Sequence, residues 1–536
     1  MIVQSVDWLA LRPALAPALA ALLVLTLDAV LGRRRPGVRT LLDVVAALGV
    51  VAGLAALLPL GSRTRETFCW PDGGCAYEVS RLTLALQAIV LVSALVCLLL
   101  AMGARPRPAG GEQDDVEEGG TRPELLLLML TATAGACALA GTRELASLAV
   151  ALETASLPVV GLVALRRDGR GAEAALKLLL TSVLSFGLLV LGAALVYASS
   201  GSLLLGAPVS PRLGDLGAVH GVGLALLVAG AAFKLSLVPF HLWTPETYAG
   251  APLPVAAFLS TTSKVAGLAA VVLVLAVGAP GLAASWAPPV GVLAVVTMTV
   301  GNLVALRQQS VVRLLAWSTV AQAGWVVLPL GGAVGGGVDG AVSASVAYLL
   351  AYVVASLTAF AVVVRVAQRH PDRSRHRLDA YAGMWRRDPV LALVLGFALL
   401  CLAGLPPGVM GLVAKVVALV PVVGVEAWGL AAVAVVNVVL GIAVYLRWAA
   451  HLAGEPVQWA ASEPVRSSPA GSTSAGSGAA GSGSAGLGTA GSGPLQRLGP
   501  QPRAQRLALA LAAAGCLALS LLPEGLVALL GGVDLP

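Results

Sequence analysis

The stretch that decides the fold is AAFKLSLVPFHLWTPETYAGAPLPVAAFLSTTSK, residues 231–264. It contains two apolar segments separated near Pro239, with Lys234 in the first and Lys264 in the second. Proline removes a backbone donor and breaks a helix. In a bilayer, unwound backbone is tolerated only inside protein or beside a wet cavity. The stretch therefore predicts a discontinuous membrane helix with ionisable groups close to its break.

The composition of the whole chain agrees with a membrane environment. Of 536 residues, 58% are hydrophobic and 11% are charged, and the mean hydropathy is +0.90. Soluble domains carry about 25% charged residues, so a water-soluble globule is excluded. We interpret the net charge of +7 as basic loops facing the cytoplasm, with no nucleic-acid partner.

The apolar runs predict an all-α polytopic membrane protein of about 14 transmembrane helices. The predicted spans are 8–31, 39–60, 82–103, 124–141, 144–165, 173–199, 219–249, 252–277, 287–306, 312–332, 340–367, 389–422, 426–450 and 507–530.

Two of these spans, the seventh and the twelfth, are too long for one straight crossing. The seventh contains Pro239, and the twelfth contains the run Gly404 to Gly408 with two prolines. Broken helices at corresponding places in two halves are typical of transporters. A proline kink without function is the alternative for either helix.

The arginine distribution predicts the orientation. With an external N-terminus, the cytoplasmic loops hold the richest arginine groups: Arg33, Arg34, Arg35 and Arg39; Arg166, Arg167 and Arg170; Arg307 and Arg313; and Arg369, Arg373, Arg375, Arg377, Arg386 and Arg387. The external segments hold only Arg12, Arg63, Arg65, Arg81, Arg143 and Arg212. Both termini are therefore expected outside the cytoplasm.

Lysine is confined to the predicted spans. The chain has four lysines among its 34 Lys and Arg residues: Lys177, Lys234, Lys264 and Lys415. A desolvated lysine can lose its proton, whereas arginine cannot. This pattern indicates positions where protonation changes. The alternatives are structural charge pairing for the deep lysines and snorkelling to the interface for Lys177.

Three further titratable residues in the predicted spans are candidates for the site. Glu153 is a carboxylate in the middle of the fifth span, and we expect it to act with the lysines. His220 and His241 lie in or beside the seventh span, where a histidine can relay protons or serve as a hydrogen-bonded structural group. The residues thus favour a carrier of protons or small cations.

Cysteines and polar segments offer no further chemistry. Cys97, Cys137, Cys401 and Cys516 lie in apolar runs and are expected to pack. Cys69 and Cys75 share one loop, and whether they form a disulfide is left open. Residues 112–120 form an acidic loop, and residues 467–493 are predicted to be a flexible Gly/Ser/Ala linker. No metal or cofactor site is predicted on this chain.

From the fifth to the twelfth span the chain resembles subunit N of bacterial NADH-quinone oxidoreductase, respiratory complex I. The strongest match is residues 231–264. Supporting matches are GNLVALRQQSVVRLLAWSTVAQAGW from Gly301, and LDAYAGMWRRDP with LALVLGFALLCLAGLPPG from Leu378. The opening SVDWLAL and LTLDAVLGR are also similar. Departures are Gln322, where the family commonly has histidine, and GVMGLVAKV around Lys415.

The resemblance implies two five-helix repeats of inverted topology. It divides the chain into an N-terminal three-helix segment with the acidic loop, a first repeat, a second repeat, a linker and a C-terminal helix. These are residues 1–123, 124–277, 287–450, 463–503 and 504–536.

The resemblance also implies a proton path along Glu153, Lys177, Lys234, Lys264 and Lys415, with Glu153 and Lys177 as an ion pair. The complex would be a translocase that moves electrons from NADH through FMN and iron–sulfur clusters, held by partner subunits, to quinone. The expected location is the bacterial cell membrane. The alternatives are a subunit of an Mrp-type cation/proton antiporter and a purely structural membrane scaffold.

Overall fold

The computed structural model describes residues 6–31, 36–61, 63–70, 73–102, 122–207, 217–335, 337–369, 377–455 and 502–528. Within these ranges the chain is helical apart from one hairpin and the connections. The α-helices are α1 Trp8–Leu31, α2 Pro36–Leu57, α3 Arg81–Met102, α4 Arg122–Ala140, α5 Leu145–Ala164, α6 Gly169–Ser200, α7 Gly217–Leu235, α8 Trp243–Gly250, α9 Leu253–Ser260, α10 Thr262–Val272, α11 Ala283–Ala305, α12 Val311–Val327, α13 Val338–Arg369, α14 Met384–Arg387, α15 Pro389–Ala403, α16 Val409–Gly424, α17 Trp428–Ala453, α18 Arg503–Leu521 and α19 Glu524–Ala528.

The predicted fold class is confirmed. Among the described residues, 13 helical segments are long and apolar enough to cross a membrane. Each coincides with one predicted span, and the remaining span, the twelfth, is divided between the shorter apolar helices α15 and α16. The acidic loop at 112–120 and the Gly/Ser/Ala segment at 467–493 lie outside the described residues. The domain boundaries stay a prediction.

Both predicted helix breaks are present and follow one pattern. Helix α7 ends at Leu235, and the next residue, Ser236, has φ 68°. Helix α15 ends at Ala403, and the next residue, Gly404, has φ 75°. A left-handed residue turns the chain out of the helix, and the prolines that follow cannot rejoin it. Each break leaves backbone carbonyls at the end of a helix inside the protein.

The eighth predicted span has a discontinuity that the sequence analysis missed. Instead of one helix over 252–277, the chain forms α9, then α10, then a π-helical turn over Leu273–Val277. Thr261 separates α9 from α10 with φ −123° and ψ −83°, and its hydroxyl donates to the Ala257 carbonyl at 2.7 Å. The side chains of serine and threonine compete with backbone hydrogen bonding. The four hydroxyl residues at 260–263 lie between apolar segments, so the mean hydropathy of the span stays high and does not reveal the break.

Helices α9, α10, α12 and α13 form the centre of the molecule. Every residue of Thr262–Val272 is buried, while α6 and α17 expose leucines and valines such as Leu180 and Val439 along their outer faces. A core that carries buried polar groups is thus enclosed by helices with apolar outer surfaces, which suits a bilayer.

A β-hairpin connects α2 to α3. Strands β1 Arg65–Cys69 and β2 Cys75–Val79 pair antiparallel, with Cys69 opposite Cys75, and these two cysteines form a disulfide. This decides the question that the sequence left open. Glu66 lies close to both sulfur atoms, but because the sulfurs are bonded to each other they are not free thiolates for a metal.

The hairpin is fixed to the α4–α5 connection. The Glu78 amide donates to the Gly141 carbonyl and the Arg143 amide to the Ala76 carbonyl, both at 2.8 Å. The Arg143 guanidinium also pairs with Glu78, with Nε 3.0 Å from Oε2 and both side chains about one-tenth exposed or less. Arg143 is therefore a structural anchor of the hairpin.

Candidate functional site

Lys234 lies in the last turn of α7, at the first helix break. Its side chain is 5% exposed. The ammonium group donates to the Ser156 hydroxyl at 2.9 Å and to the Ala155 carbonyl at 3.2 Å, both on α5. A buried ammonium group needs such partners because desolvation without them is costly.

Lys264, on α10, reaches the same break from the other side. It is 1% exposed, and its ammonium group donates to the Lys234 carbonyl at 3.2 Å and to the Ser236 hydroxyl. The Ser236 hydroxyl in turn contacts Thr244 of α8. The Lys264 Nζ also lies 4.7 Å from the centre of the Trp243 ring, within range of a cation–π interaction.

Lys415, on α16, repeats this arrangement at the second break. It is 4% exposed, and its ammonium group donates to the carbonyl of Ala403, the last residue of α15. Its Nζ lies 5.6 Å from the centre of the Trp325 ring. Lys264 and Lys415 thus each bind a carbonyl at the C-terminal end of a broken helix, where the helix dipole favours a cation.

The predicted ion pair between Glu153 and Lys177 is wrong for this structure. Lys177 pairs instead with Glu173, one helical turn away on α6, with Nζ 2.6 Å from Oε1. These side chains are 49% and 64% exposed, on the outer face of α6. A partner four residues away on the same helix is always within reach, and the rotation of α6 turns Lys177 away from the buried lysines.

Glu153 keeps its place near the site but does not pair with Lys177. It is partly exposed on α5, two residues before the Ala155 carbonyl that Lys234 contacts. Among the described residues no cation lies within ion-pairing distance of its carboxylate, and the charge that acts on it most is that of Lys234. The carboxylate therefore acts on Lys234 through space.

The two histidines lie in different surroundings. His220 shares a hydrogen bond of 2.9 Å with Ser199, and it precedes Lys234 by 14 residues on α7, about 21 Å along the helix. His241 lies in the break itself, 7% exposed, with its ring 5.3 Å from that of Trp317. Of the two histidines, only His241 thus lies at the break.

Gln322, the residue that departs from the family pattern, lies at the centre of a buried polar group on α12. Its amide contacts Tyr348 of α13, Tyr445 of α17 and the Leu402 carbonyl of α15. The sequence analysis missed the tyrosines. A usable signal was present, since the chain has only 7 tyrosines and five of them lie within predicted spans.

Comparison with known proteins agrees with this architecture. The family model described as "NADH:quinone oxidoreductase/Mrp antiporter, TM" matches residues 142–441, which contain both broken helices and all four lysines. The chain belongs to this family. It is 42% identical over 468 residues to NADH-quinone oxidoreductase subunit N 2 of Streptomyces griseus, covering 85% of this chain and 84% of that protein.

Solved structures give the same result for the fold of this family member. One is a chain of respiratory complex I from Thermus thermophilus with bound aureothin, which matches with a TM-score of 0.73 and 31% identity over 97% of this chain and 100% of that chain. Another is a chain of the Mrp complex from Dietzia, with a TM-score of 0.76 and 23% identity over 98% and 97% of the two chains. At that identity the second likeness concerns the fold alone.

Proposed function

We propose that this chain is subunit N of a bacterial NADH-quinone oxidoreductase and that it translocates protons across the cell membrane. The family and the relative in Streptomyces support the assignment. The observation that carries it is the set of three buried lysines, two of which bind carbonyls at the ends of broken helices. Such groups are expensive in a membrane unless they have a function.

The partners would supply the redox chemistry. Electrons would pass from NADH through FMN and iron–sulfur clusters in other subunits to quinone, and this chain would bind none of those cofactors. Among the described cysteines, Cys69 and Cys75 form a disulfide, the Sγ atoms of Cys401 and Cys516 lie 3.5 Å apart, and Cys97 and Cys137 are buried on other helices. Iron–sulfur clusters need several cysteines converging on one site.

The path would run from Glu153 through Lys234 and Lys264 to Lys415. Lys264 and the backbone of Lys234 meet at the first break, and the positive charge of Lys234 acts on Lys264, so a proton on one lysine disfavours a proton on the other. A proton arriving at Lys234 would therefore favour release from Lys264 toward the second break. His241, which lies in the first break, would be beside the path, and His220 and Lys177 would be peripheral to it.

The orientation follows the arginine distribution. We propose that both termini and the disulfide hairpin lie outside the cytoplasm, and that the loop over 369–387 lies inside. The disulfide supports this, since disulfides persist on the oxidising side of a bacterial membrane.

Co-purification tests the assignment directly. The affinity-tagged chain, extracted from its native membranes, should carry flavin and iron–sulfur subunits, and the preparation in vesicles should acidify the lumen when NADH and quinone are supplied. Recovery with cation-exchange subunits alone, and cation/proton exchange independent of NADH, would instead favour the Mrp-type antiporter. Assembly without any proton movement would favour a structural scaffold.

A further inference from the structure

Two cysteine side chains meet where the C-terminal helix packs against the second helix break. Cys401 lies on α15 and Cys516 on α18, 115 residues apart in the chain, and their Sγ atoms are 3.5 Å apart. Both are free thiols, 2% and 0% exposed. Because a disulfide has an S–S distance of about 2.0 Å, the sulfurs are in contact, and a shift of about 1.5 Å would bond them.

A third polar group lies beside this cysteine pair. The Ser520 hydroxyl is 3.7 Å from the Cys401 Sγ, and Ser520 follows Cys516 by four residues, so both project from one face of α18. The last two turns of α15 and α18 are otherwise apolar. A hydroxyl that donates to sulfur favours the thiolate, which is the reactive form of cysteine. The pair therefore has the chemistry of a dithiol in addition to the packing role that the sequence predicts.

Cys401 belongs to the turn that forms the second break. The residue after it, Leu402, supplies the carbonyl that accepts from the Gln322 amide at 3.3 Å. The next, Ala403, ends α15 and supplies the carbonyl that accepts from Lys415. A change in the position of Cys401 would therefore move the two carbonyls that hold these polar side chains.

Close backbone packing transmits such a change to α16. A Cβ at Gly408 would lie 2.5 Å from the Cys401 amide nitrogen, and a Cβ at Gly411 would lie 1.6 Å from the Cys401 carbonyl oxygen. The start of α16 thus lies directly against α15. Lys415 follows Gly411 by one helical turn on α16, so the cysteine and the lysine are mechanically connected.

Helix α18 is held to the core at two other points. The Thr358 hydroxyl of α13 donates to the Ala512 carbonyl at 2.9 Å, and the Gln505 side-chain amide donates to the Leu100 carbonyl of α3 at 3.1 Å. A covalent bond between the two cysteines would therefore connect the second break to α3 and α13 through α18. In the thiol form the contact between α15 and α18 is non-covalent, and the break is free of this constraint.

We propose that Cys401 and Cys516 are a redox switch, in which oxidation to a disulfide ties α18 to the last turn of α15 and slows proton pumping, and reduction reverses both effects. The effect on pumping rests on the proposed function, whereas formation of the disulfide does not. The oxidant would be a peroxide, because a small uncharged molecule can enter an apolar core.

The reaction balances with hydrogen peroxide. The Cys401 Sγ attacks one peroxide oxygen, the O–O bond breaks, and the other oxygen leaves as water with the thiol proton, so that Cys401 becomes a sulfenic acid. The Cys516 Sγ then attacks this sulfur, the S–O bond breaks, and the oxygen leaves as water with the Cys516 proton. Two electrons pass from the sulfurs to the peroxide, and a dithiol reductant returns them.

Cleavage of the chain before α18 tests for the disulfide. The intact complex, with a protease site inserted within residues 467–493 and a C-terminal tag on this chain, is treated with peroxide in its membranes, alkylated and cut. The tagged fragment contains Cys516 as its single cysteine. In SDS it should run at the mass of the full chain without reductant and separate with reductant. Cys516→Ser should release the fragment in both conditions. Release of the fragment from the peroxide-treated parent would overturn the proposal.

Pumping in sealed vesicles tests the consequence. Peroxide should lower the initial rate of NADH-driven acidification about twofold or more, which is the lower end of coupling between packed elements, and a dithiol reductant should restore it. An assembled Cys516→Ser complex should keep its rate through the same treatment. Cys137→Ser is the matched control, since Cys137 is a buried thiol on α4, and it should respond like the parent.

The remaining outcomes separate the two levels of the proposal. A disulfide that forms without any change in the acidification rate would overturn the switch. Equal inhibition of the parent and of Cys516→Ser would do so as well, because the peroxide would then act elsewhere in the complex. A disulfide in an assembled complex that does not pump even before treatment would instead overturn the proposed function.

Discussion

Lys264 donates a hydrogen bond to the backbone carbonyl of Lys234 across 3.2 Å. One lysine therefore caps the helix that carries the other, at a single break in the membrane-spanning backbone. The same device recurs at the second break, where Lys415 binds the Ala403 carbonyl. Protonation at each site is thereby tied to the geometry of a broken helix.

Lys234 should be required for pumping as a group that can release its proton. Lys234→Met and Lys234→Arg should each lower NADH-driven acidification about tenfold or more, because the methionine side chain has no titratable proton and the arginine side chain does not release its proton. Lys177→Arg is the control, since Lys177 is exposed and a fixed charge still pairs with Glu173. An assembled Lys234→Arg complex with full pumping would show that this lysine does not titrate.

The two glutamates next to the lysines should differ in importance. Glu153→Gln removes the carboxylate charge that acts on Lys234, and we expect acidification to fall about fivefold, equivalent to ~1 kcal/mol. Glu173→Gln removes only an exposed i,i+4 pair and should change the rate little. Equal losses in the two variants would mean that Lys177 belongs to the path after all.

Gly411 should be essential for the packing of α16 against α15. A Cβ at this position would lie 1.6 Å from the Cys401 carbonyl oxygen, so Gly411→Ala must push the two helices apart. Such overpacking costs about 1–3 kcal/mol or more, and we expect less assembled complex and a lower melting temperature. Gly424→Ala, at the open end of the same helix, meets no atom within 4 Å and should behave like the parent.

Arg143 and Glu78 should be energetically coupled. Removing one partner of a buried pair leaves an uncompensated charge, which costs about 3–5 kcal/mol, so Arg143→Met should make the hairpin sensitive to protease. The double variant Arg143→Met/Glu78→Met should recover part of this loss. Arg65→Ala, which breaks the more exposed contact with Asp7, is the matched control and should have a small effect. Additive losses in the double variant would disprove the coupling.

The position of the hairpin relative to the membrane can be tested by labelling. Cys69 and Cys75 are at least partly exposed, whereas the other four cysteines are buried. A membrane-impermeant thiol reagent should therefore label intact, reductant-treated cells, and the signal should vanish in Cys69→Ser/Cys75→Ser. Labelling that appears only after permeabilisation would reverse the proposed orientation.

The sequence by itself determined the features that depend on neighbouring residues in the chain: the membrane spans, the helix breaks and the positions of the lysines. A run of some 20 apolar residues must form a helix in a bilayer, so the spans follow from hydropathy alone. The breaks at Pro239 and at Gly404 to Gly408 follow from residues whose own backbone cannot continue a helix. The lysines could also be recognised from the sequence. An ammonium group inside an apolar span is costly whichever helices surround it, so its presence alone indicates a function.

Only the tertiary structure decided the partners. Whether Glu153 pairs with Lys177 or instead acts through space on Lys234 depends on the rotation of α5 and α6 about their axes. The apolar sequence pattern of lipid-facing helices does not fix this rotation. The group of Gln322, Tyr348 and Tyr445 joins the neighbouring helices α12 and α13 to α17, whose Tyr445 follows Gln322 by 123 residues. Hydrogen bonds between such helices depend on distances and angles set by packing of the whole core, and no local stretch of sequence encodes them.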